Sequence, residues 1–301
     1  MDFKQIRKTL SYLAGWLGLN ICSLIVKLIP ARFIYGFAGK ISALGYCFAG
    51  RQRRIALESL RLAFAGEKSG QEIEKICRDC FRLMAKSAIE LLFLMDKPGL
   101  LNSRVELAGR ERLEEALRQG KGVILVSAHF GNFPLALARL SLEGYRISGI
   151  MRPMRDARTE GFFLKKRQSC GVKTIYSQPR SACVDSTLRA LRNNELVFIP
   201  VDQNFGTAGV FVNFFGRRAA TATGPVILAQ RTGATLLPCF IIRQPDDRHQ
   251  LVFESPLKLE QGKDSRETVM INIQKITGII ESYIRRYPAE WGWIHRRWKT
   301  Q

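Results

Sequence analysis

VILVSAHFGNF, residues 123–133, opens with a run of apolar residues, turns through Ala128 and His129, and reaches glycine and asparagine before apolar spacing resumes. A short uninterrupted apolar run bounded by turn residues reads as a buried strand. His129 then lies at its C-terminal end, with Gly131 and Asn132 leading into a helix from Phe133 to Glu143. In open α/β sheets, ligands bind beside the C-terminal ends of strands. Histidine in that place can take a proton from a hydroxyl near neutral pH, and amides around Gly131 and Asn132 can face a developing oxyanion.

The same grammar repeats outward. RISGIM, LVFIPVD and TLLPCFII are further strands, alternating with helices at Arg110–Arg118 and Pro225–Arg231, and HQLVFESPL adds another. Val269, Ile273, Ile276, Ile280 and Ile284 give one side of a helix over Glu267–Arg286. Upstream, a helix carries Leu57, Leu60 and Phe64. A longer one runs over Gln71–Met95 with Ile73, Ile76, Cys77, Cys80, Phe81 and Met84 on its stripe. The expected fold class is α/β, a mixed sheet flanked by helices with an N-terminal helical membrane-associated segment. Residues 1–50 form the anchoring or interfacial segment and 51–301 one catalytic domain.

That N-terminal segment rests on Leu10–Ile29, about the twenty residues that cross a bilayer, preceded by Lys4, Arg7 and Lys8 and stopped by Pro30. Lys27 inside the run favours a short anchor or interfacial helix over a clean span. The other reading is a pair of buried helices in a soluble domain. Lysine and arginine outnumber aspartate and glutamate 47 to 26, a net charge of +21 that calls for an anionic partner. The apolar N-terminus points to an anionic membrane surface and a phosphorylated substrate; nucleic acid fits neither that segment nor the histidine motif. Seven cysteines, an odd number scattered among apolar neighbours, suit a reducing compartment. Cys77 and Cys80 read as core thiols, because no second pair at zinc-site spacing exists.

FIPVDQNFG brings Asp202, Gln203 and Asn204 to the sheet edge that holds His129. A carboxylate there can fix an imidazole's tautomer and stabilise its cation, although aspartate before Gly206 also suits a turn. Thr223, before Gly224 and Pro225, reads as a helix cap. Arg217 and Arg218 lie on a loop that suits phosphate contact or plain solvent. The closing WGWIHRRW offers indoles to a bilayer interface or to the core, and His295 within it reads as structural.

RRIALESLRLAF, LAGRERLEEALRQGKGVILVSAHFGNF, IMRPMRD, FIPVDQNFG, VNFFGRRAATATGP through LLPCF, and PAEWGWIHRRWK together resemble the late acyltransferases of lipid A biosynthesis, within the lysophospholipid acyltransferase superfamily. The resemblance covers almost the whole chain. It implies a fatty acyl transfer to a glycolipid hydroxyl with His129 as general base. The donor would be an acyl carrier protein or coenzyme A thioester, the acceptor a phosphorylated glycolipid such as a lipid A precursor. It further implies a catalytic domain on the cytoplasmic side of the inner membrane and neither metal nor cofactor. Arg152 and Arg155 of IMRPMRD become candidates for the acceptor phosphate or the carrier's phosphopantetheine arm, beside Arg217 and Arg218. The sequence departs from the family's H-x-x-x-x-E pair at Pro134, which supplies no carboxylate. Either another acid, with Asp202 best placed, supports His129, or the chain is a thioesterase or a non-catalytic lipid-binding descendant.

Overall fold

The computed structural model describes residues 3–300. Helix α1 (Phe3–Leu28) and α2 (Ile34–Phe48) precede α3 (Gly50–Ala63), α4 (Gly70–Leu94) and α5 (Pro98–Arg104). Strands and helices then alternate: β1 (Val105–Ala108), α6 (Arg110–Arg118), β2 (Val123–Ser127), α7 (Phe133–Leu142), β3 (Ile147–Met151), α8 (Ala157–Ser169), β4 (Lys173–Tyr176), α9 (Arg180–Arg192) and β5 (Leu196–Pro200). A separate antiparallel hairpin, β6 (Val210–Phe214) and β7 (Arg217–Thr221), leads to α10 (Gly224–Thr232), β8 (Thr235–Arg243), β9 (His249–Phe253) and α11 (Ser265–Arg286).

Seven strands form a mixed sheet in the order β1-β9-β8-β2-β5-β3-β4. β8, β2, β5, β3 and β4 run parallel; the β8–β9 turn reverses direction, so β9 and β1 run the other way. β2 lies at the middle, and its side chains alternate between two cores. Ile124, Val126 and Ala128 face a core completed by α3, the first half of α4, α10 and α11, whereas Val123 and Leu125 face one completed by α6 and α7. Burial on both faces is why the strand reads as an unbroken apolar run instead of an alternation.

α4 starts at a capping box: Ser69 Oγ accepts from the Glu72 amide and the Glu72 carboxylate accepts from the Ser69 amide, which satisfies two orphan donors at once. Cys77 and Cys80 lie buried on its stripe, and burial pushes the Cys80 thiol up to about 12. α1 is long and apolar enough to cross a membrane by length and composition, and only 11% of its apolar window is buried. Leu10, Leu17, Ile21, Leu24 and Leu28 are exposed. α1 is therefore largely unburied, whereas α2 packs on α4 and buries Ile34, Ala38 and Ser42. Lys27 reaches Asp96 at 3.2 Å.

Candidate active site

His129 leaves the end of β2 and Asp202 follows the end of β5. These strands are hydrogen-bonded neighbours with Ser127 opposite Pro200, so the two side chains emerge side by side. His129 Nδ1 donates to Asp202 Oδ1 at 2.9 Å, and Trp291 Nε1 donates to Asp202 Oδ2 at 2.7 Å. The carboxylate is fully enclosed, while one third of the imidazole remains open to solvent. With Nδ1–H committed to a carboxylate, Nε2 carries the lone pair. It faces outward beside the Gln203 amide, whose Nε2 donates to it at 3.3 Å.

Burial pushes the Asp202 carboxyl up, but the His129 charge and the hydrogen bonds from His129 and Trp291 outweigh it and hold the group well below the usual carboxylate range. Burial pulls the His129 imidazole down, and the charge and hydrogen bond of Asp202 more than reverse this, so it titrates above its ordinary value. His295, 6.5 Å from His129 between ring centroids and 4.9 Å from Trp291, is shifted down by burial.

Gly131 permits the turn between His129 and α7. Its φ is +56°, and a Cβ there would lie 2.0 Å from the Ile241 carbonyl oxygen of β8, so no other residue fits. Its amide donates to the Glu290 carbonyl at 2.8 Å, and the Gly292 amide returns to the His129 carbonyl at 3.2 Å. Gly131 thus positions the turn, and its N–H is not free for an oxyanion. The Asn132 side chain likewise points away, donating to Glu90 Oε2 at 2.9 Å. The backbone amides of Asn132 and Phe133, at the start of α7, make no hydrogen bond among the described residues. Pro134 occupies the first turn of α7, where its missing N–H costs nothing.

The remaining candidates divide. Asn204 Nδ2 donates to Thr300 Oγ1 and its Oδ1 accepts from the Gly206 amide, shaping the loop after Asp202. Arg152 and Arg155 are exposed just beyond the end of β3, at the same sheet edge, with no ion pair among the described residues. Arg217 and Arg218 are not brought to the site. They begin β7 at the far end of the hairpin, roughly 13 Å of strand from Thr221. There Arg217 donates to the Leu62 carbonyl and Arg218 stacks on Phe211. Thr223 does stand at the N-cap position of α10, but its hydroxyl makes no capping bond.

Beyond these candidates, three further contributors surround the site, of which only the tryptophans are legible in the sequence, as facing either a bilayer interface or the core. Trp291, Trp293 and Trp298 are buried, so these indoles close the core instead of meeting a bilayer interface. Arg297, 1% exposed, donates to the carbonyls of Gln203 and Ala220 and to Thr221 Oγ1, tying the Asp202 loop to β7. Glu90 is enclosed by Arg243 at 2.6 and 2.7 Å, His249 Nε2 at 3.1 Å, Tyr35 at 2.9 Å and Asn132. The signals were a carboxylate within an otherwise uncharged apolar stretch of α4 and a basic pair between tryptophans. Trp291→Phe removes a donor to a buried carboxylate, and we expect it to lower stability by about 1.5–3 kcal/mol, read as an earlier denaturation midpoint. An unchanged midpoint would show that the indole N–H contributes nothing there.

The family described as bacterial lipid A biosynthesis acyltransferase matches residues 1–300. The chain is similar to the lipid A biosynthesis lauroyltransferase of Escherichia coli strain K12, at 28% identity over 294 residues, 96% of this chain and 92% of that one. It is also similar to the phosphatidylinositol mannoside acyltransferase of Mycobacterium tuberculosis strain CDC 1551 / Oshkosh, at 27% identity over 162 residues, 54% of this chain and 49% of that one. Among solved structures, the 1-acyl-sn-glycerophosphate acyltransferase of Thermotoga maritima gives a TM-score of 0.38 at 12% identity, covering 88% of this chain and 97% of that one.

Proposed function

Because the chain belongs to the family of bacterial lipid A biosynthesis acyltransferases, we propose that His129 is the general base of an acyl transfer from a thioester to a hydroxyl of a phosphorylated glycolipid. The observation that carries this reading is the 2.9 Å hydrogen bond between His129 Nδ1 and the buried Asp202, which leaves Nε2 as a basic nitrogen on the open side of the ring. Nε2 removes the proton of the acceptor hydroxyl as its oxygen attacks the thioester carbonyl carbon. Asp202 stabilises the imidazolium that forms without itself taking the proton. The amides of Asn132 and Phe133 are the donors left for the oxyanion. On collapse the C–S bond breaks, and the proton on His129 is returned to the departing thiolate. The ester and the free thiol balance the reaction, with no covalent acyl-enzyme.

Acyl carrier protein or coenzyme A supplies the donor, and exposed Arg152 and Arg155 suit its phosphopantetheine arm. Residues 1–50 anchor the chain at the inner membrane, with residues 51–301 as the catalytic domain on the cytoplasmic face. The reading is tested by supplying the purified protein with acyl carrier protein thioester, then with acyl coenzyme A, and a phosphorylated lipid A precursor. Mass spectrometry should show one added acyl group. Release of free fatty acid with acceptor present and unmodified would favour a thioesterase instead. Deleting residues 1–29 should weaken binding to anionic vesicles and leave the remainder salt-sensitive, since each basic side chain near such a surface is worth about 1 kcal/mol. Full binding of the truncated protein in high salt would contradict that division.

A further inference from the structure

A cavity of about 750 Å³ lies beyond the Glu90 cluster, between the α5–β1 junction and the β8–β9 turn. β9 and β1 run opposite to β2, so the starts of both strands lie at the edge of the sheet where β2 delivers His129. Arg104, Arg110, Arg139 and Arg248 line it against two carboxylates, Glu106 and Asp246. Asp246 is taken up by Arg248 at 2.6 Å, while Arg110 and Arg139 share Glu143 outside the cavity. Arg104 makes neither an ion pair nor a side-chain hydrogen bond among the described residues; its guanidinium lies 6.0 Å from the Tyr35 ring.

His249 forms a buried part of the same wall, its side chain 1% exposed. Its Nε2 is held by Glu90, and its buried Nδ1 has no partner among the described residues. A buried polar atom left in that state is destabilising unless a ligand or water completes it. A phosphate offers both O⁻ and O–H groups, so it can satisfy Nδ1 in either protonation state while meeting a guanidinium. The surroundings identify its carrier. Tyr35, hydrogen-bonded to Glu90, stands two residues from Phe33, and Phe33 and Leu28 are 54% and 76% exposed at the end of the apolar helix α1. Tyr35, whose ring lies 6.0 Å from the Arg104 guanidinium, connects the cavity through the chain to the exposed apolar helix α1, so the carrier favoured is an amphiphile whose phosphate enters the cavity while its chains stay outside.

We propose that this cavity binds the phosphate group of a lipid substrate, with Arg104 and His249 as its contacts. Since this deepens the reading of the chain as an acyltransferase with a phosphorylated acceptor, binding is measured apart from turnover. The chain has three histidines, so His249 can be followed by NMR in the full-length His129→Ala protein in detergent micelles, leaving only His295 beside it. Phosphatidic acid added to those micelles, the detergent being non-ionic and free of phosphate, should shift the His249 ring resonances saturably, at least tenfold more tightly than inorganic phosphate at matched ionic strength. Arg104→Gln should weaken that response about tenfold or more and Arg104→Lys less. Arg248→Gln, on the exposed turn, gives a second variant should Arg104→Gln not fold, with a several-fold weakening expected. No saturable shift, a response no tighter than to inorganic phosphate, or unchanged affinity in the arginine variants would overturn the proposal. Because the protein used is catalytically silenced, these outcomes are independent of whether the chain transfers acyl groups.

Discussion

Replacing His129 with alanine is expected to lower turnover by about a hundred- to ten-thousand-fold, the usual contribution of a positioned general base, while leaving the protein folded. The ring is one third exposed and its turn is held by backbone contacts of Gly131 and Gly292, which the substitution keeps. The loss should therefore fall on kcat, with KM for donor and acceptor little changed. Circular dichroism and the denaturation midpoint serve as the fold control. A well-folded variant that retains the parent rate would remove His129 from the chemistry and take the proposed mechanism with it.

Asp202→Asn should lower turnover by roughly a hundredfold or more, and it carries a pH signature that a merely structural residue would not. Asp202 raises the His129 pKa, and the base works only when deprotonated. Rate in the parent enzyme should rise with pH through a value above the ordinary 6.5 of histidine. In Asp202→Asn the raising charge is gone while burial remains, so the acid limb should move to lower pH even as the plateau falls. Pro134→Glu should bring at most a modest gain in the parent, because a carboxylate already holds Nδ1, and should restore part of the rate lost in Asp202→Asn. Near-normal turnover with an unmoved acid limb in Asp202→Asn would show that the imidazole works without this partner.

Much of the central sheet was legible because β2, β5, β3 and β8 are buried strands whose apolar runs stand out against the helices between them. β1 and β4, VELA and KTIY, lie at the two edges, are short and carry polar residues, so no run marks them. The β6–β7 hairpin hid for a related reason: RRAAT has arginines where a strand signal would sit. His129 and Asp202 could each be placed at a strand end, but their contact depends on β2 and β5 being adjacent and in register, which only the assembled sheet decides. Gly131 shows the limit of motif reasoning: it stands beside the histidine, yet it spends its amide on the Glu290 carbonyl, whereas Asn132 gives only its side chain to Glu90 and keeps its amide unpaired among the described residues. Trp291 was ambiguous between membrane and core until its N–H found a buried carboxylate.

The contacts that make the site join distant parts of the chain. His129 and Asp202 are 73 residues apart, Asp202 and Trp291 are 89, and Arg297 grips Gln203 across 94. Each such closure carries a loop entropy that no local helix can offset, and long-range pairing is the slow part of folding. Helices such as α4 and α11 can form early from their own capping and apolar stripes, well before β2 and β5 are seated against each other. A chain that has regained its helical signal is thus still catalytically empty. In refolding, recovery of enzymatic rate is therefore expected to trail recovery of the helical signal.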